Sequence, residues 1–384
     1  MARHAEIAGG GIGGLGIGMM LARYGWSVRI HERAPAIREI GAGISLRNNC
    51  IEVLEHFGVF PQLEPFGSKI VIEHHFNRAG RFTQSRDLSG HHRTHVFPRQ
   101  ALVDALASSA REAGAEIVTG SVIVSADPAG AIVDETGKRY EADLIIAADG
   151  VNSKIREGLA FGATRRVLDT FVNRYLLDTQ AFTVPNTMHE YWSADRRVGI
   201  MPAGAGKSFV YAVMSAQDRF ASAVPLDTGD WHASFPTLRD VFEVLSNAET
   251  TQYPYPLVIS ERWSVGKVAL VGDAAHAMPP SLGQGAGLTL MNSHALASVV
   301  SEADNVEESL KRWERHVRFL SDITQRWGMR YDRFTRLWPE TLRMLRPFVI
   351  RVVGKVGFLN ERMRIADRGL SATKLRLRRA PKLS

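Results

Sequence analysis

The feature that most constrains the fold is a glycine-rich turn between an apolar strand and an apolar helix near the N-terminus. Glu6-Ile7-Ala8 is typical of a strand, the turn follows at 9–14, and residues 15–24 form a helical pattern. In a G-x-G-x-x-G turn the first glycine permits the tight turn, the second lets the backbone approach a pyrophosphate, and the third lets helix and strand pack closely. The helix start presents unpaired N–H groups and a positive dipole end to phosphates. The residues predicted to bind a dinucleotide here are Gly9, Gly11, Ile12, Gly13 and Gly14.

A second strand, Ser27-Val28-Arg29-Ile30-His31, ends at the acidic residue Glu32. An acid about 20 positions after the glycines can accept hydrogen bonds from an adenosine ribose. Arg33, which follows it, is a further candidate cofactor contact. Strand, turn, helix, strand and acid occur in order, so we interpret the segment as a dinucleotide-binding unit. The unit alone does not separate NAD from FAD.

Two later apolar strands also end in carboxylates, and they favour FAD. One ends at Asp149 and the other at Asp273, and a glycine-rich turn before a long apolar helix follows Asp273. In open α/β sheets ligands bind at the carboxyl ends of strands, where a carboxylate can hold a ribose or ribityl hydroxyl. A helix start beside the N1–C2=O edge of a flavin stabilises the charge that this edge gains on reduction. The candidate residues of that helix start are Gly283, Gly285, Ala286 and Gly287.

These segments resemble the single-component flavoprotein aromatic hydroxylases, the family with the p-hydroxybenzoate hydroxylase fold. The matches are the glycine turn at 9–14, the Asp-Gly segment at 149–156 and the Gly-Asp segment at 272–280, which occur in the family's order and span most of the chain. The resemblance implies an α/β protein with a Rossmann-like FAD-binding domain, an interleaved antiparallel β-sheet substrate domain and a C-terminal helical extension.

The resemblance also implies roles for single residues. Glu32 would bind the adenosine ribose, and Arg99 would contact the ribityl–pyrophosphate region. Asp149 would help to hold FAD and the nicotinamide, and Asp273 would bind the ribityl chain. Pro279 would lie beside the flavin ring where oxygen reacts.

Two departures from the family bear on the substrate. Arg47-Asn48 stands where the family often has Pro-Asn, and Met291-Asn292 stands where it often has an acidic pair. The apolar–Asn pair resembles the pyridine-ring oxygenases, such as 2-methyl-3-hydroxypyridine-5-carboxylate oxygenase. Three residues occupy positions that resemble active-site residues of those enzymes, namely Arg197, Tyr211 and Tyr255.

The roles of these three residues stay open at this point. Arg197 can pair with a substrate carboxylate or phenolate, and Tyr211 can hydrogen-bond a ring oxygen or nitrogen. The alternative for each of them is a surface ion pair or an edge-strand aromatic.

We predict three structural units. The FAD-binding domain comprises 1–66, 93–166 and 265–338, and the substrate domain comprises 67–92 and 167–264. Alternating apolar residues and turn signals predict the antiparallel sheet of the second unit. The C-terminal helical extension with its basic tail covers 339–384.

Charge and composition limit the partners. The net charge is +7, but 12 Lys/Arg and only 2 Asp/Glu lie from Arg343 onward, which leaves about −3 for the rest. We therefore predict no nucleic-acid partner, and a weak contact of the basic tail with an acidic surface stays open. No uninterrupted apolar run of about 18 residues exists, so no membrane span is expected. The single cysteine fits a reducing cytoplasm. The histidines at 91–95 lack zinc spacing, so no metal is predicted, and we expect a monomer or homodimer.

The predicted activity is hydroxylation of a small aromatic or pyridine-type ring with NADH or NADPH and O₂. NAD(P)H would reduce FAD, a flavin C4a-hydroperoxide would form with O₂, and its distal oxygen would attack an electron-rich ring carbon. With one G-x-G-x-x-G turn, the nicotinamide is expected to bind transiently. The alternatives are Baeyer–Villiger oxidation or epoxidation of a larger secondary metabolite, and a non-catalytic redox sensor. A flavin halogenase is disfavoured because its Trp-x-Trp-x-Ile-Pro signature is absent.

Overall fold

The computed structural model describes residues 2–38, 42–89, 92–204, 206–336 and 364–372, with isolated residues between 338 and 362. The predicted C-terminal extension at 339–384 therefore falls mostly outside the described residues, and its tail from 373 lies wholly outside them. The part that is described includes a 3-10 segment, Ile365–Ala372.

A six-stranded sheet forms the first half of the fold. Its strands are, in spatial order, β18 (Ser264–Val265), β19 (Val268–Leu270), β12 (Leu144–Ala147), β1 (His4–Ala8), β2 (Ser27–Glu32) and β8 (Glu116–Thr119). All neighbours are parallel except β18 and β19. Strand β12 is apolar and buried at every residue, as is typical of a parallel strand that is covered on both faces of the sheet.

Helix α1 (Ile12–Arg23) packs beside this sheet and contacts both α4 (Arg99–Glu112) and α9 (Gly285–Glu302). α1 is buried on almost all sides because its small residues admit neighbouring side chains. A Cβ on Gly16 would lie 2.5 Å from Leu290 Cδ2, and a Cβ on Gly18 would lie 2.5 Å from Ile30 Cδ1. The glycines therefore allow the dense packing that fixes the start of α1. The remaining helices are α2 (Asn48–His56), α3 (Phe60–Leu63), α5 (Lys154–Gly158), α6 (Thr228–Ser234), α7 (Arg239–Ser246), α8 (Asp273–His276) and α10 (Val306–Arg336).

A seven-stranded sheet forms the second half. Its strands are, in spatial order, β17 (Thr251–Ser260), β13 (Ala163–Leu177), β16 (Ser208–Met214), β15 (Arg196–Pro202), β14 (Thr187–Ser193), β5 (Ile72–Asn77) and β6 (Phe82–Asp87). The pairing is antiparallel, as predicted, except between β14 and β5, which run parallel.

The two faces of this sheet differ in character. Val198, Ile200, Val210 and Ala212 pack with the aromatic residues of α6 and α7 in one apolar cluster. Successive side chains of a strand point to opposite faces, so the intervening residues of β15 and β16 face the other side. That second face carries the polar residues described below.

Two small sheets complete the fold. The first contains β11 (Arg139–Glu141), β10 (Ala131–Asp134) and β9 (Ile123–Asp127), and the second contains β3 (Gly43–Arg47), β7 (Thr94–Pro98) and β4 (Ser68–Ile70). The chain has the expected mixed α/β fold, in which a Rossmann-like sheet and a second sheet are interleaved. The division into domains stays a prediction. Strand β13 is continuous from Ala163 to Leu177 and therefore crosses the predicted boundary at 166/167. Within the described residues, no helix is long and apolar enough to cross a membrane.

Candidate active site

The carboxyl ends of β1, β12 and β19 meet at one edge of the six-stranded sheet. Parallel pairing of β1 with β12, and of β12 with β19, brings the glycine turn, Asp149 and Asp273 to this edge. The backbones are in direct contact, since a Cβ on Gly9 would lie 2.3 Å from Ala148 O. The three segments that the sequence singled out therefore form one site.

The glycine turn has the geometry that a phosphate cradle requires. Gly9 has a φ of +105°, and a Cβ on Gly14 would lie 1.8 Å from Gly9 O, so neither position accepts a side chain. A Cβ on Gly11 would meet no described atom within 4 Å, so the space beside Gly11 is open. Gly11 precedes α1, whose start at Ile12 has no side-chain cap. Its first N–H groups are therefore available to an anion.

Glu32 lies directly beside this turn. Its two carboxylate oxygens accept hydrogen bonds from the backbone N–H groups of Gly10 and Ala34, each at 2.8 Å. A carboxylate oxygen has two acceptor sites, so these bonds orient the group and leave capacity for ligand hydroxyls. The side chain of Arg33 is exposed next to it.

Only one of the two carboxylate oxygens of Asp149 accepts a hydrogen bond from the described residues. Its Oδ2 accepts from Lys154 N at 2.9 Å, at the start of α5, whereas its buried Oδ1 has no hydrogen-bond partner among the described residues. Burial raises the pKa of Asp149, and hydrogen bonds from Ser153 and nearby backbone oppose that shift. A buried acceptor without a partner is costly, so the free oxygen marks a place where a ligand donor fits.

Asp273 faces two arginines. Its side chain is exposed, but the surrounding protein displaces enough water to raise the pKa of the carboxyl, while Arg99 and Arg174 act in the opposite direction. Arg99 comes from the start of α4 and Arg174 from β13. Asp273 and Arg99 lie in segments that the sequence marks as cofactor contacts, whereas Arg174 belongs to no motif.

The turn after Asp273 leads to the start of α9. Pro279 is buried and precedes a 3-10 turn, and Gly283 has a φ of +64°. α9 begins at Gly285 without a side-chain cap, and a Cβ there would meet no described atom within 4 Å. At Gly287 a Cβ would lie 2.3 Å from Asn49 Oδ1, so this position must stay small. The helix start, which includes Ala286, is therefore open on one side and tightly packed on the other.

These features fit a flavin dinucleotide. Two uncapped helix starts, an open glycine, an unpartnered buried carboxylate oxygen and a carboxylate between arginines are all present on one edge of the sheet. Phosphates, ribose and ribityl hydroxyls, and an electron-rich ring edge are the groups that such donors and acceptors bind.

The three predicted substrate contacts converge on the polar face of the seven-stranded sheet. Tyr211 packs against the buried group formed by Val172, Val213 and Tyr255. Burial raises the pKa of Tyr255, whereas Arg197 and Arg174 lie close enough to lower it. Arg174 is also influenced by Asp273, so it is a common neighbour of Tyr255 and Asp273.

Glu190 on β14 was not predicted, and it organises this face. Tyr211 donates its hydroxyl hydrogen to Glu190 Oε1, and Trp192 Nε1 donates to Oε2 at 3.0 Å. Arg197 Nε lies 3.5 Å from Oε1. The ring of Tyr211 reaches Glu190 by crossing β15 at Gly199, where a Cβ would lie 2.2 Å from the ring. Gly199 therefore permits the Tyr211–Glu190 contact.

Glu73 and His75 on β5 extend the polar cluster. His75 lies between the two acids, with Nε2 3.1 Å from Glu73 Oε1 and Nδ1 3.6 Å from Glu190 Oε2. Ligand atoms of these three residues lie within 4.8 Å of one another, which a metal ion could bridge. However, Arg86 Nη1 lies 3.2 Å from Glu73, and Arg197 neutralises Glu190. The acids already have counter-ions, so we interpret the cluster as an ion-pair network.

The comparisons with known proteins agree with this geometry. Residues 4–315 match the family described as FAD binding domain. The 2-heptyl-3-hydroxy-4(1H)-quinolone synthase of Mycobacteroides abscessus is 33% identical over 347 residues, which are 88% of this chain and 92% of that protein. The aurachin C monooxygenase/isomerase of Stigmatella aurantiaca is 28% identical over 322 residues, 80% of this chain and 83% of that protein. A tetrameric form of 2-methyl-3-hydroxypyridine-5-carboxylic acid oxygenase superposes with a TM-score of 0.85 at 30% identity, over 96% of both chains.

The chain belongs to the FAD-dependent aromatic monooxygenases. The expected resemblance to pyridine-ring oxygenases is thereby confirmed, and so are the enzyme class and the FAD cofactor.

The residues of this monooxygenase that the sequence analysis missed carried a weak signal. Glu73 and His75 alternate in β5, and Glu190 and Trp192 alternate in β14, so each pair faces one side of its strand. Charged residues in such a pattern are typical of a solvated face. Here Glu73, His75 and Glu190 are all 5% exposed or less, because the sheet face that they share is covered.

Proposed function

We propose that this monooxygenase hydroxylates an N-heteroaromatic ring of the pyridone or 4-quinolone type, using NADH or NADPH and O₂. One observation supports this most strongly. Tyr255 and Tyr211 pack in one cluster on the polar face of the sheet, Tyr211 and Arg197 meet at Glu190, and Arg174 acts electrostatically on both Tyr255 and Asp273. A ring between these residues would lie next to the carboxylate of Asp273 and could hydrogen-bond to Arg197 and Tyr211.

The cofactor roles implied by the resemblance are part of this proposal. The helix start at Gly11 to Gly14 would bind the pyrophosphate, and Glu32 the adenosine ribose. Asp273 would hold the ribityl chain with Arg99 beside it, and Asp149 would offer Oδ1 to FAD or the nicotinamide. The start of α9, from Gly283 to Gly287, would face the pyrimidine edge, with Pro279 beside the ring. FAD, when bound, supplies the hydride acceptor and the oxygen-activating centre.

The protein's own contribution is orientation and the exclusion of water. Arg197 would donate to a ring oxygen and so hold the ring carbon beside it towards the cofactor. Val172, Val213 and the ring of Tyr255 provide an apolar wall, which limits access of water to the reacting atoms. Neither step requires a side chain to form a covalent bond.

The names of the relatives support an N-heteroaromatic substrate. The Mycobacteroides protein is named for a 3-hydroxy-4(1H)-quinolone product, and the superposed oxygenase is named for a hydroxypyridine. The two rings share a ring nitrogen and an oxygen substituent. The proposal therefore rests on what these rings have in common and on the two polar positions of the site.

A substrate panel tests the proposal. The purified holoenzyme is mixed with NADH or NADPH and with 4-quinolones, pyridones, hydroxypyridines or hydroxybenzoates, and nucleotide oxidation is measured together with the product by mass spectrometry and NMR. We expect N-heteroaromatics to stimulate oxidation and to gain one oxygen on a ring carbon. Stimulation by hydroxybenzoates alone, or a product with oxygen inserted into the ring, would contradict it.

A further inference from the structure

The cation at the proposed substrate site already has a counter-ion inside the protein. Arg197 and Glu190 are 7% and 4% exposed, and Arg197 Nε lies 3.5 Å from Glu190 Oε1. Burial alone lowers the pKa of Arg197, but Glu190 together with Tyr211, Tyr255 and Tyr331 more than offsets this effect, so the guanidinium stays charged. Arg197 is therefore a neutralised hydrogen-bond donor and not an uncompensated positive charge.

Glu190 is fixed in place from several sides. Trp192 Nε1 donates to it at 3.0 Å, Tyr211 donates from β16, and His75 Nδ1 lies 3.6 Å away. The ring of Trp192 also lies under the guanidinium of Arg197, with 5.3 Å between the guanidinium carbon and the ring centroid. A carboxylate held by this many donors cannot move away when a ligand enters.

A fixed carboxylate at this place opposes a second negative charge. Two like charges about 5 Å apart at an effective dielectric constant of about 20 repel strongly enough to weaken binding by on the order of 100-fold. A ring carboxylate beside Arg197 would meet this repulsion as well as the attraction of the guanidinium, so Glu190 removes the advantage that Arg197 would otherwise give to an anion. A neutral ring that presents a carbonyl oxygen to Arg197 would not meet the repulsion.

Glu190 also determines how Tyr211 can hydrogen-bond. A phenol has one hydrogen to donate, and that hydrogen is directed to Glu190. Burial and the negative charge of Glu190 raise the pKa of Tyr211 well above its usual value, so the hydrogen stays on the oxygen. The Tyr211 oxygen is then available as an acceptor, and its ring is only half-buried. A ligand can satisfy it with an N–H or O–H group.

We propose that Glu190 is a specificity-determining residue, which makes the site select neutral rings that carry both a carbonyl oxygen and an N–H or O–H donor over rings that carry a carboxylate. This inference rests on the proposed function and narrows its substrate class. It favours 4-quinolone and pyridone rings over pyridine carboxylates. Arg197 would donate to the carbonyl oxygen, and the Tyr211 oxygen would accept from the N–H or O–H group of the ring.

Three ligands of almost equal size test the two parts separately. They are 2-methyl-4(1H)-quinolone, its N-methyl derivative, and the analogue with a carboxylate in place of the 2-methyl group. Dissociation constants are measured with the FAD-loaded enzyme from the change in flavin absorbance on binding, and turnover is measured in parallel. The variants are Glu190→Gln, Tyr211→Phe and, as a control, Asp127→Asn, which removes a carboxylate that pairs with Arg139 on a different sheet.

For the wild-type enzyme we expect the methyl quinolone to bind at least as tightly as the carboxylate, because Glu190 offsets the attraction of Arg197 for an anion. Glu190→Gln should shift the ratio of the two dissociation constants by on the order of 100-fold in favour of the carboxylate, whereas Asp127→Asn should leave the ratio unchanged. The wild-type enzyme should bind the N-methyl derivative about 10-fold more weakly than its N–H parent. Tyr211→Phe should bind these two ligands with the same dissociation constant. The Tyr211 arm decides the donor part even where Glu190→Gln fails to fold.

Several results would overturn the inference. They are tighter binding of the carboxylate by the wild type, absence of binding of all three ligands, an unchanged ratio in Glu190→Gln, or retained N–H selectivity in Tyr211→Phe. Failure of the proposed function has a different signature. In that case the quinolone binds with the expected selectivity, but no oxygenated product forms with any ring of the panel.

Discussion

The carboxylate of Asp273 provides the most direct test of the cofactor site. Asp273→Asn keeps the size and shape of the side chain and removes its negative charge. The residue lies at the strand end after β19, and its side chain is exposed, so the substitution removes no core packing. A change in FAD affinity can therefore be separated from a loss of folding.

The size of the effect follows from the neighbours of Asp273. The positive charges of Arg99 and Arg174 act on its carboxyl, so the amide leaves the two arginines without this anion. It also replaces a charge-assisted hydrogen bond to a ligand hydroxyl by a neutral one. A hydrogen bond to a charged group contributes about 1.5–3 kcal/mol, which corresponds to a factor of about 10–150 in the dissociation constant of FAD.

The assay titrates the flavin-free protein with FAD and follows the quenching of flavin fluorescence. Asp127→Asn is the matched control, because Asp127 lies on β9 and pairs with Arg139 away from the site. We expect normal FAD binding for the control and the weaker constant for Asp273→Asn, with similar melting temperatures for both apoproteins. A constant within about threefold of wild type would refute the assignment of Asp273.

Three further predictions concern folding and the cofactor. Gly11→Ala should fold normally and bind FAD at least about 10-fold more weakly, whereas Gly14→Ala should lower the melting temperature as well, because its Cβ meets backbone at 1.8 Å; equal melting temperatures would contradict this difference. Glu6→Gln should lower the free energy of unfolding by about 2 kcal/mol at neutral pH. Burial raises the pKa of Glu6, but hydrogen bonds from neighbouring imidazoles outweigh it and hold the pKa below 4.5. The advantage of wild type is therefore present above pH 4.5 and disappears as the pH falls through the lowered pKa, which urea unfolding at several pH values checks. Asp367→Ala should cost about 1–3 kcal/mol in the same assay, because it leaves the buried Gln284 Nε2 without its 2.5 Å partner; an unchanged unfolding midpoint would exclude that role.

The cofactor half of the site could be predicted because its geometry is local. Gly9, Gly14 and Glu32 belong to one strand–helix–strand unit, and parallel pairing of β1 with β2 sets their relative positions. The steric demands at Gly9 and Gly14 allow only glycine. Because the backbone geometry requires this glycine pattern, the pattern predicts the strand–turn–helix structure from the sequence alone.

The substrate half could be predicted only in part, because it depends on strand register. Glu190 lies opposite His75 on one side and Gly199 on the other, and Gly199 lies opposite Tyr211. This row joins the consecutive strands β14, β15 and β16 to β5, which comes from a much earlier part of the chain. Arg197 and Tyr211 were identified through resemblance, whereas Glu190 and His75 had no motif to identify them.

The contribution of the C-terminal segment could not be predicted either. Asp367 accepts from Gln284 Nε2, and Asn49 Nδ2 donates to Gln284 Oε1 at 2.9 Å. Gln284 immediately precedes the open start of α9. These contacts join residues separated by up to 235 positions, and nothing in the local sequence around 367 indicates them.

The two halves of the site are held together by hydrogen bonds to backbone carbonyl groups, and these bonds do not involve the proposed substrate contacts. Val258 N donates to Ala277 O at 3.0 Å, and Ser260 Oγ donates to Ala275 O at 3.1 Å, so β17 is attached to the segment after Asp273. Gln325 Nε2 donates to Val258 O at 2.7 Å and to Ala277 O at 2.9 Å, so it bridges the same two segments. The strand that carries Tyr255 is thus fixed relative to the cofactor edge. These hydrogen bonds fix the distance between Tyr255 and the segment after Asp273. Substitutions of other side chains on the polar face of the sheet can therefore change which substrate ring is bound without moving that ring relative to the cofactor.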